Sequence, residues 1–244
     1  MTRLWAAFGC TLLLLVAACG STQTSQLLHP TRATGPLVNP STLADDFVWR
    51  QRIEVRFRER RESFAAVIEK RADRLLLLGL TPFGTRAFAL EQRGQKVTYT
   101  PYMQLTLPFS PLYILADVHR TFFRGLPRAP WSDGWHEGVI DHERIRERWQ
   151  NGRLYQRTYQ SLDRGGNAVA IEYAGGMQAH VPARTIVLTS QRFGYVLTIT
   201  TLFASALPPA ARATESARLQ RATPWRGPAR FARAAARSER RRGL

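Results

Sequence analysis

The stretch Trp49-Arg50-Gln51-Arg52-Ile53-Glu54-Val55-Arg56-Phe57-Arg58 decides the fold class, because its side chains alternate between two kinds. The apolar residues Trp49, Ile53, Val55 and Phe57 all fall on odd positions, whereas every even position carries a charge. A period of two places successive side chains on opposite faces of a strand. The stretch therefore predicts an antiparallel strand with one buried face and one face in water.

The residues that follow continue this pattern as a meander. A charged turn is predicted at Glu59-Arg60-Arg61-Glu62, and Phe64, Ala66 and Ile68 then repeat the alternation. Short apolar or alternating segments bounded by turn residues are typical of strands. Three more are predicted, at residues 75–80, 86–92 and 96–100. The first half of the chain is therefore interpreted as a meander of about five strands.

One amphipathic helix is predicted after the meander. Ser110 is placed to cap its N-terminus, since a serine hydroxyl accepts a hydrogen bond from the free N–H groups of a first turn. Apolar residues and one histidine then recur at helical spacing, at Leu112, Leu115, Val118, His119 and Phe122. This pattern predicts a helix that covers one face of the sheet.

Strands resume in the second half of the chain. They are predicted at residues 138–149, 154–162, 168–173, 185–189 and 195–202, separated by glycine turns at 151–152, 165–166 and 175–176. Long runs of strand with few helices predict a mostly β, α+β fold built on a strongly curved antiparallel sheet. Its inward face carries the aromatic and aliphatic side chains that are candidates for an apolar cavity: Trp49, Ile53, Phe57, Phe88, Tyr99, Tyr155, Tyr173 and Tyr195.

The residue patterns do not predict catalysis. His136 and His142 would share one face of a strand, a spacing unlike the helical pair of a zinc site. No serine has the flanking glycines of a nucleophile elbow. Asp117 is the only acid in the segment 112–118, where we expect it on the helix surface or in a capping role. We therefore predict no enzyme activity, no metal site and no cofactor.

The N-terminal residues resemble the signal of a bacterial lipoprotein. Arg3 precedes an apolar run from Leu4 to Val16, which is too short to span a membrane as a helix. Ala17 and Ala18 then stand directly before Cys19, as in a lipobox. The sequence thus predicts a signal peptide over residues 1–18 and a lipidated Cys19, bearing diacylglycerol and an N-acyl chain such as palmitate. An ordinary secretory signal is the alternative.

The small polar residues after Cys19 lead us to interpret residues 19–42 as the lipidated N-terminus and a flexible tether. Residues 43–207 then form one domain, followed by an Arg/Ala-rich tail, expected to be disordered, over residues 208–244. Cys10 lies in the signal and Cys19 carries the lipid, so the processed chain has neither a free thiol nor a disulfide. Asp does not follow Cys19, which in lipoproteins of this kind favours the periplasmic face of the outer membrane.

The formal net charge of +17 comes largely from arginine. Ten arginines and two glutamates give the tail a net charge of +8. Nucleic acid is not the expected partner, because the protein is predicted to be exported and has no zinc-finger or phosphate-loop pattern. Contact of the tail with anionic lipid or polysaccharide stays open as an alternative to a merely disordered tail.

Two segments of the domain resemble the LolB and LolA family of outer-membrane lipoprotein carriers. These are Leu75-Leu76-Leu77-Leu78-Gly79-Leu80-Thr81-Pro82-Phe83-Gly84 and Val181-Pro182-Ala183-Arg184-Thr185-Ile186-Val187-Leu188-Thr189. The chain also resembles an uncharacterised family of bacterial lipoproteins distantly akin to these carriers. The resemblance implies an unclosed barrel covered by one or two helices, with an apolar concavity that receives acyl chains. The arginine-rich tail and the segment 130–135 have no counterpart in that pattern.

In the resemblance, Phe83 occupies the place of an apolar residue that contacts the membrane. Turns lie at protein surfaces, so Phe83 is our candidate for that contact; folding back onto the core is the alternative. We expect a non-enzymatic lipoprotein that binds or hands over an acylated or apolar cargo. The alternative is a docking or structural lipoprotein that binds an envelope partner or an anionic polymer without a lipid cargo. A filled concavity would favour docking, and an empty apolar one would favour carriage.

Overall fold

The computed structural model describes residues 24–31, 34–104, 109–127, 131–163, 168–178 and 181–208. These residues form twelve strands, one main helix, and a short 3-10 helix at Pro40–Thr42. The strands are β1 (Gln26–Leu28), β2 (Asp46–Phe57), β3 (Arg60–Arg71), β4 (Arg74–Leu80), β5 (Arg86–Arg93), β6 (Lys96–Pro101), β7 (Gly134–Ile140), β8 (Glu143–Gln150), β9 (Arg153–Ser161), β10 (Ala168–Met177), β11 (Thr185–Ser190) and β12 (Tyr195–Leu207). Cys19 and the tail from residue 209 onward lie outside the described residues.

All twelve strands belong to one antiparallel sheet with the order β1-β6-β5-β4-β3-β2-β12-β11-β10-β9-β8-β7. β1 and β7 are its two edges, so the sheet does not close into a barrel. The predicted five-strand meander is confirmed as β2 to β6, and the second half forms another meander from β7 to β12. The two halves join where β12 pairs with β2 along its whole length.

Strand β2 has the alternation that its sequence predicts. Trp49 and Ile53 are buried on the concave face, whereas Arg50, Arg52 and Arg56 are exposed on the convex one. The predicted turn over Glu59 to Glu62 is shorter than expected. Only residues 58 and 59 form the turn, because Arg58 adopts a positive φ of 55°, and pairing resumes at once between Phe57 and Arg60.

The predicted single strand over residues 138–149 is wrong. The chain folds here into a hairpin of β7 and β8 around Asp141 and His142. Both residues have a positive φ, of 50° and 65°, as a two-residue hairpin turn with the right twist requires. His136 on β7 and His142 in the turn therefore do not share one strand.

The predicted turn at Gly175-Gly176 is also wrong, because β10 continues through it to Met177. Both glycines have a φ of 76°, and the register with β9 shifts between Glu172 and Met177. The feature is a bulge, in which extra residues are accommodated within a continuing strand.

The helix lies between β6 and β7 in the sequence. Its α-helical part, α1, covers Leu112–Val118 and continues into a π turn over His119–Phe123. Pro111 occupies the N-cap position, and the Ser110 hydroxyl lies 3.4 Å from the N–H of Leu112. Leu112 and Leu115 are buried within one core that also contains the concave-face residues of the sheet. No helix of the described residues is long and apolar enough to cross a membrane.

The fold begins before residue 43, the predicted domain boundary. β1 pairs with β6, and Leu37 is buried in the core. The backbone of Leu37 and Val38 accepts hydrogen bonds from the side-chain amides of Gln95 and Gln92. The tether interpretation is therefore wrong for these residues, which pack against the sheet.

Candidate functional site

Most of the predicted cavity residues are buried in the core. The buried ones, each at most 8% exposed, are Trp49, Ile53, Phe88, Tyr99, Tyr173 and Tyr195. Phe57 is half-buried at the end of β2. Tyr155 lies elsewhere, because a bulge between β8 and β9 turns its ring to the convex face beside Arg148. The structure thus brings seven of the eight candidates to the concave side and separates Tyr155 from them.

The C-terminal part of the helix packs on β2 through aromatic rings. Phe122 lies 5.1 Å from the Trp49 ring, and Phe123 lies 5.9 Å from the rings of both Trp49 and Phe47. Phe47 and Trp49 stack on each other with their centroids 4.0 Å apart. Aromatic pairs at these separations stabilise a contact beyond the effect of burial alone. The concave face of β2 is therefore occupied by the helix.

The other side of the helix carries buried charges that contact β8 and β12. Arg120 donates to Glu143 at 2.9 Å and to Asp117 at 3.4 Å, and Arg124 donates to the second oxygen of Glu143. The Tyr195 hydroxyl donates to Asp117. Burial raises the pKa of Asp117 above its usual range, although Arg120 and Tyr195 act in the opposite direction. The expected surface or capping role of Asp117 is therefore wrong.

A second buried ion pair lies directly below the end of the helix. The Arg157 Nε donates to Glu147 at 2.7 Å, and Glu147 also accepts from the Trp149 indole and the Leu126 N–H. Glu147 has no exposed side-chain surface. A buried carboxylate needs such partners, because an unpaired charge in a protein interior is strongly unfavourable.

Tyrosine and arginine side chains of the sheet satisfy the carbonyls at the C-terminal end of the helix. Tyr173 donates to the carbonyl of Thr121 at 2.8 Å, and both Tyr159 and Arg157 donate to that of Arg120 at 3.0 Å. The last carbonyls of a helix have no partner within it. These bonds attach the end of the helix to β9 and β10, and burial raises the pKa of Tyr159 to about 12.

His119 connects the helix to β5 and to the N-terminal segment. Its Nε2 lies 2.7 Å from the Gln92 side-chain oxygen, and its Nδ1 accepts the N–H of Val38 at 3.2 Å. Burial, with the charge of Arg124 in addition, lowers the pKa of His119 to about 3. The imidazole is therefore neutral near pH 7 and serves as a hydrogen-bonded core residue.

The buried charges, tyrosines and His119 around the C-terminal part of the helix form one polar network, which was not predicted from the sequence. One signal for it lies in the strand pattern. Glu147 stands between the buried residues Ile145 and Trp149, and Arg157 stands two positions before Tyr159. In an alternating strand, these positions point inward. A charge at an inward position indicates a buried partner of opposite charge.

One end of the sheet carries the turns 58–59, 81–85 and 191–194, and we name it the Phe83 end. Several aromatic residues lie there. Phe109 lies 5.1 Å from Phe193, and Tyr113 lies 4.8 Å from it. Phe83 itself is 92% exposed in its turn, so it does not fold back onto the core. Phe57, the half-buried cavity candidate, ends β2 at this same end of the sheet.

The predicted histidine pair forms no joint site. His136 stacks on Trp131 at 4.8 Å, whereas His142 is exposed in the hairpin turn. Within the described ranges, no group of three or more histidine, cysteine or acidic side chains could hold a metal ion.

Several solved structures are similar to this chain, and three of them follow. A LolA superfamily protein from Nitrosomonas europaea has a TM-score of 0.42 and 12% identity, covering 69% of this chain and 89% of its own. A putative outer-membrane lipoprotein-sorting protein domain from Vibrio parahaemolyticus has a TM-score of 0.35 and 9% identity, covering 71% of this chain and 91% of its own. A DUF1329 family protein from Desulfovibrio piger has a TM-score of 0.35 and 11% identity, covering 68% of this chain and 87% of its own.

No curated protein matches the chain. One family model does, over residues 48–203, which run from β2 into β12 and include the helix, the polar network and the Phe83 end. The predicted relation to a family of unknown function is thereby confirmed. The chain belongs to the family described as "Protein of unknown function (DUF3261)".

Proposed function

We propose that this protein is a non-enzymatic lipoprotein whose concave face binds an acyl chain or a similar apolar cargo beneath the helix. One observation carries the proposal. Charges and hydrogen bonds hold the C-terminal part of the helix, whereas its N-terminal part lies on the apolar core through apolar and ring contacts and the bond from Tyr195 to Asp117. The N-terminal part is therefore the place where a cargo can enter.

The C-terminal part is the fixed end. Arg120, Arg124 and His119 bind Glu143 and Gln92, and the carbonyls of residues 120, 121 and 124 accept bonds from the sheet. Each bond to a buried charge contributes about 1.5–3 kcal/mol, and a released carboxylate or guanidinium would be left unpaired. Moving this part is therefore costly.

The N-terminal part has a different character. Leu112, Leu115 and Ala116 are buried by apolar contact, Tyr113 packs edge-on against Phe193, and the Tyr195 hydroxyl donates to Asp117. Apolar contacts are not specific for their partner, so an acyl chain can replace the helix side chains against the sheet at about 0.8 kcal/mol per buried CH₂. Such an exchange of apolar contacts has a small net cost as long as the bond from Tyr195 to Asp117 is kept.

The entrance and the exposed Phe83 lie at the same end of the sheet. We propose that Phe83 contacts the membrane there, so that cargo passes between the bilayer and the concave face without crossing water. Handover requires that the cargo binds the protein less tightly than it binds the acceptor membrane. Only this difference in affinity drives the transfer.

We further propose that Cys19 carries the diacylglycerol and N-acyl anchor, which holds the protein at the periplasmic face of the outer membrane. The lipobox pattern of the sequence supports this placement. A single acyl chain binds a membrane only marginally, and two or more give a stable anchor.

A fluorescent fatty acid tests the proposal. The processed chain from residue 20, without its lipid, is titrated with dansyl-labelled undecanoic acid. Phe57→Asp places a charge at the entrance, and Phe203→Asp is the matched control, because Phe203 is 49% exposed opposite Arg50 on the convex face. We expect probe binding that Phe57→Asp abolishes and Phe203→Asp retains. Absence of binding, or equal binding in both folded variants, contradicts carriage.

The filled concave face favours a second candidate, the docking or structural lipoprotein. Six of the predicted cavity residues are at most 8% exposed, and convex-face arginines such as Arg52, Arg56 and Arg144 are exposed. In this case, the chain binds an envelope partner or an anionic polymer through its surface. Failure to bind the fatty acid, together with salt-sensitive binding to polygalacturonate, would support docking over carriage.

A further inference from the structure

A groove on the convex face, opposite the proposed cargo site, has no role in the function proposed above. It lies across β8 to β11 and has a volume of about 220 Å³. Arg148, Gln156 and Glu172 face each other across three neighbouring strands, since Arg148 pairs with Gln156 and Gln156 with Glu172. Tyr155, Thr185 and Val187 also line the groove, together with Tyr173, Ala174 and Gly175 of β10.

Two bulges in neighbouring strands form the groove. The shift between Arg148 and Trp149 turns Tyr155 outward, and Gly175-Gly176 bulges from β10 beside it. A Cβ on Gly176 would lie 3.0 Å from the Tyr155 ring, so glycine allows the ring to lie against the strand. Bulges are frequent beside functional sites, where they redirect a side chain.

Among the described residues, the polar side chains of the groove make no side-chain hydrogen bond or ion pair, although the Arg148 guanidinium lies 5.8 Å from the centroid of the Tyr155 ring. These side chains are Arg148, Gln156, Glu172 and Thr185, and the Arg148 Nε is buried without a hydrogen-bond partner in that part of the chain. The neighbouring Arg144 and Arg146 differ, because both pair with Glu137 at 3.3 and 3.2 Å. The groove thus presents donors and acceptors to a ligand.

We propose that the groove binds one pyranose ring of a neutral glycan. Sites for drug-sized ligands have volumes of roughly 300–1,000 Å³. The groove is smaller than these sites, and its volume fits a single sugar ring. The C–H face of a sugar packs on an aromatic face such as Tyr155, and its hydroxyls both donate and accept. Arg148 donates to them, Glu172 accepts and Gln156 does both, and the opposite charges of Arg148 and Glu172 balance.

Trp135 extends the site along the sheet edge. It pairs directly with Arg148 from β7, is 50% exposed, and has the Arg146 guanidinium 5.0 Å from its ring centroid. A second sugar ring of the same oligosaccharide packs on this indole. Longer oligosaccharides therefore bind more tightly than a single sugar.

Saturation-transfer NMR on the processed chain tests the proposal with four probes: chitotetraose, maltotetraose, cellotetraose and mannotetraose. We expect transfer to at least one of them, weakened about tenfold by Tyr155→Ala. Tyr102→Ala is the matched control, because Arg86 lies 5.8 Å from the Tyr102 ring as Arg148 does from Tyr155. Tyr155→Phe keeps the stacking face and retains binding.

The Trp135→Ala variant gives a second readout that a folding defect would not produce. It weakens binding of the tetrasaccharide and leaves that of the corresponding monosaccharide unchanged. The proposal is overturned by absence of transfer from all four probes, by equal binding in Tyr155→Ala and Tyr102→Ala, or by tighter binding of polygalacturonate fragments than of any neutral probe.

Discussion

His119 gives the fold a dependence on pH. Burial and Arg124 lower the pKa of this imidazole from 6.5 to about 3. Between these values, the unfolded chain binds a proton that the folded chain excludes, so the free energy of unfolding falls as pH is lowered. We expect His119→Gln to remove up to about 1.4 kcal/mol per pH unit of this slope. Urea unfolding at pH 4 to 7 measures it.

The control for this prediction is His142→Gln, because His142 is exposed in a hairpin turn. Its slope should equal that of the unchanged chain. If His119→Gln also leaves the slope unchanged, the neutral buried imidazole does not limit stability in acid.

Gly125 lies against the buried ion pair of Glu147 and Arg157, where a side chain has no room. A Cβ at this position would lie 2.6 Å from the Glu147 Oε1 and would overlap the Arg157 guanidinium. Separating a buried ion pair costs about 3–5 kcal/mol, so we expect Gly125→Ala to lower the free energy of unfolding by that amount. Chemical denaturation of the purified variant measures the loss.

Gly152→Ala is the comparison, since this glycine has open space around it and only a positive φ of 68°. Its cost should be about 1–2 kcal/mol. Equal costs for the two variants would mean that the ion pair adjusts to the added methyl group.

The strands were predictable from alternation, whereas several of their ends were not. β2, β5 and β6 follow local patterns of apolar and polar residues, which decide the buried face without reference to the rest of the chain. The Asp141-His142 turn and the Gly175-Gly176 bulge depend on backbone conformations with positive φ. Glycine permits both a turn and a bulge, so the sequence alone did not separate them.

The turn between β4 and β5 carries the proposed membrane contact of Phe83, which can be tested separately. Phe83 is 92% exposed there, and its removal leaves no cavity. We expect Phe83→Ser to change stability by less than about 0.5 kcal/mol. Transfer of its ring out of a bilayer interface should weaken binding of the unlipidated chain to vesicles about tenfold.

Vesicle sedimentation measures this effect, with Trp135→Ser as the control for an exposed aromatic on another part of the surface. The fatty-acid affinity of Phe83→Ser should be unchanged, since the turn does not line the concave face. Equal vesicle binding by both variants would argue against the Phe83 end as the membrane-facing end.

At the scale of the whole molecule, the sheet depends on a pairing between distant segments. β2 and β12 join the two halves over residues 46–57 and 195–207. The same closure brings Asp117 to Tyr195, 78 residues away in sequence. Local periodicity carries no information about such a pair, so the concave face was predictable in composition and the polar network within it was not.

The proposed lipid anchor at Cys19 would decide where the whole molecule acts. Each methylene of its acyl chains that enters a bilayer would contribute about 0.8 kcal/mol, so the proposal makes the lipid the dominant membrane attachment. We expect Cys19→Ala to move the protein from the membrane to the soluble fraction of the periplasm, measured by fractionation and by the mass of the intact chain. Cys10→Ala, which changes the signal alone, should leave both unchanged. A Cys19→Ala protein that stays on the membrane at low salt and leaves it at high salt would instead assign the attachment to the ten arginines of the tail.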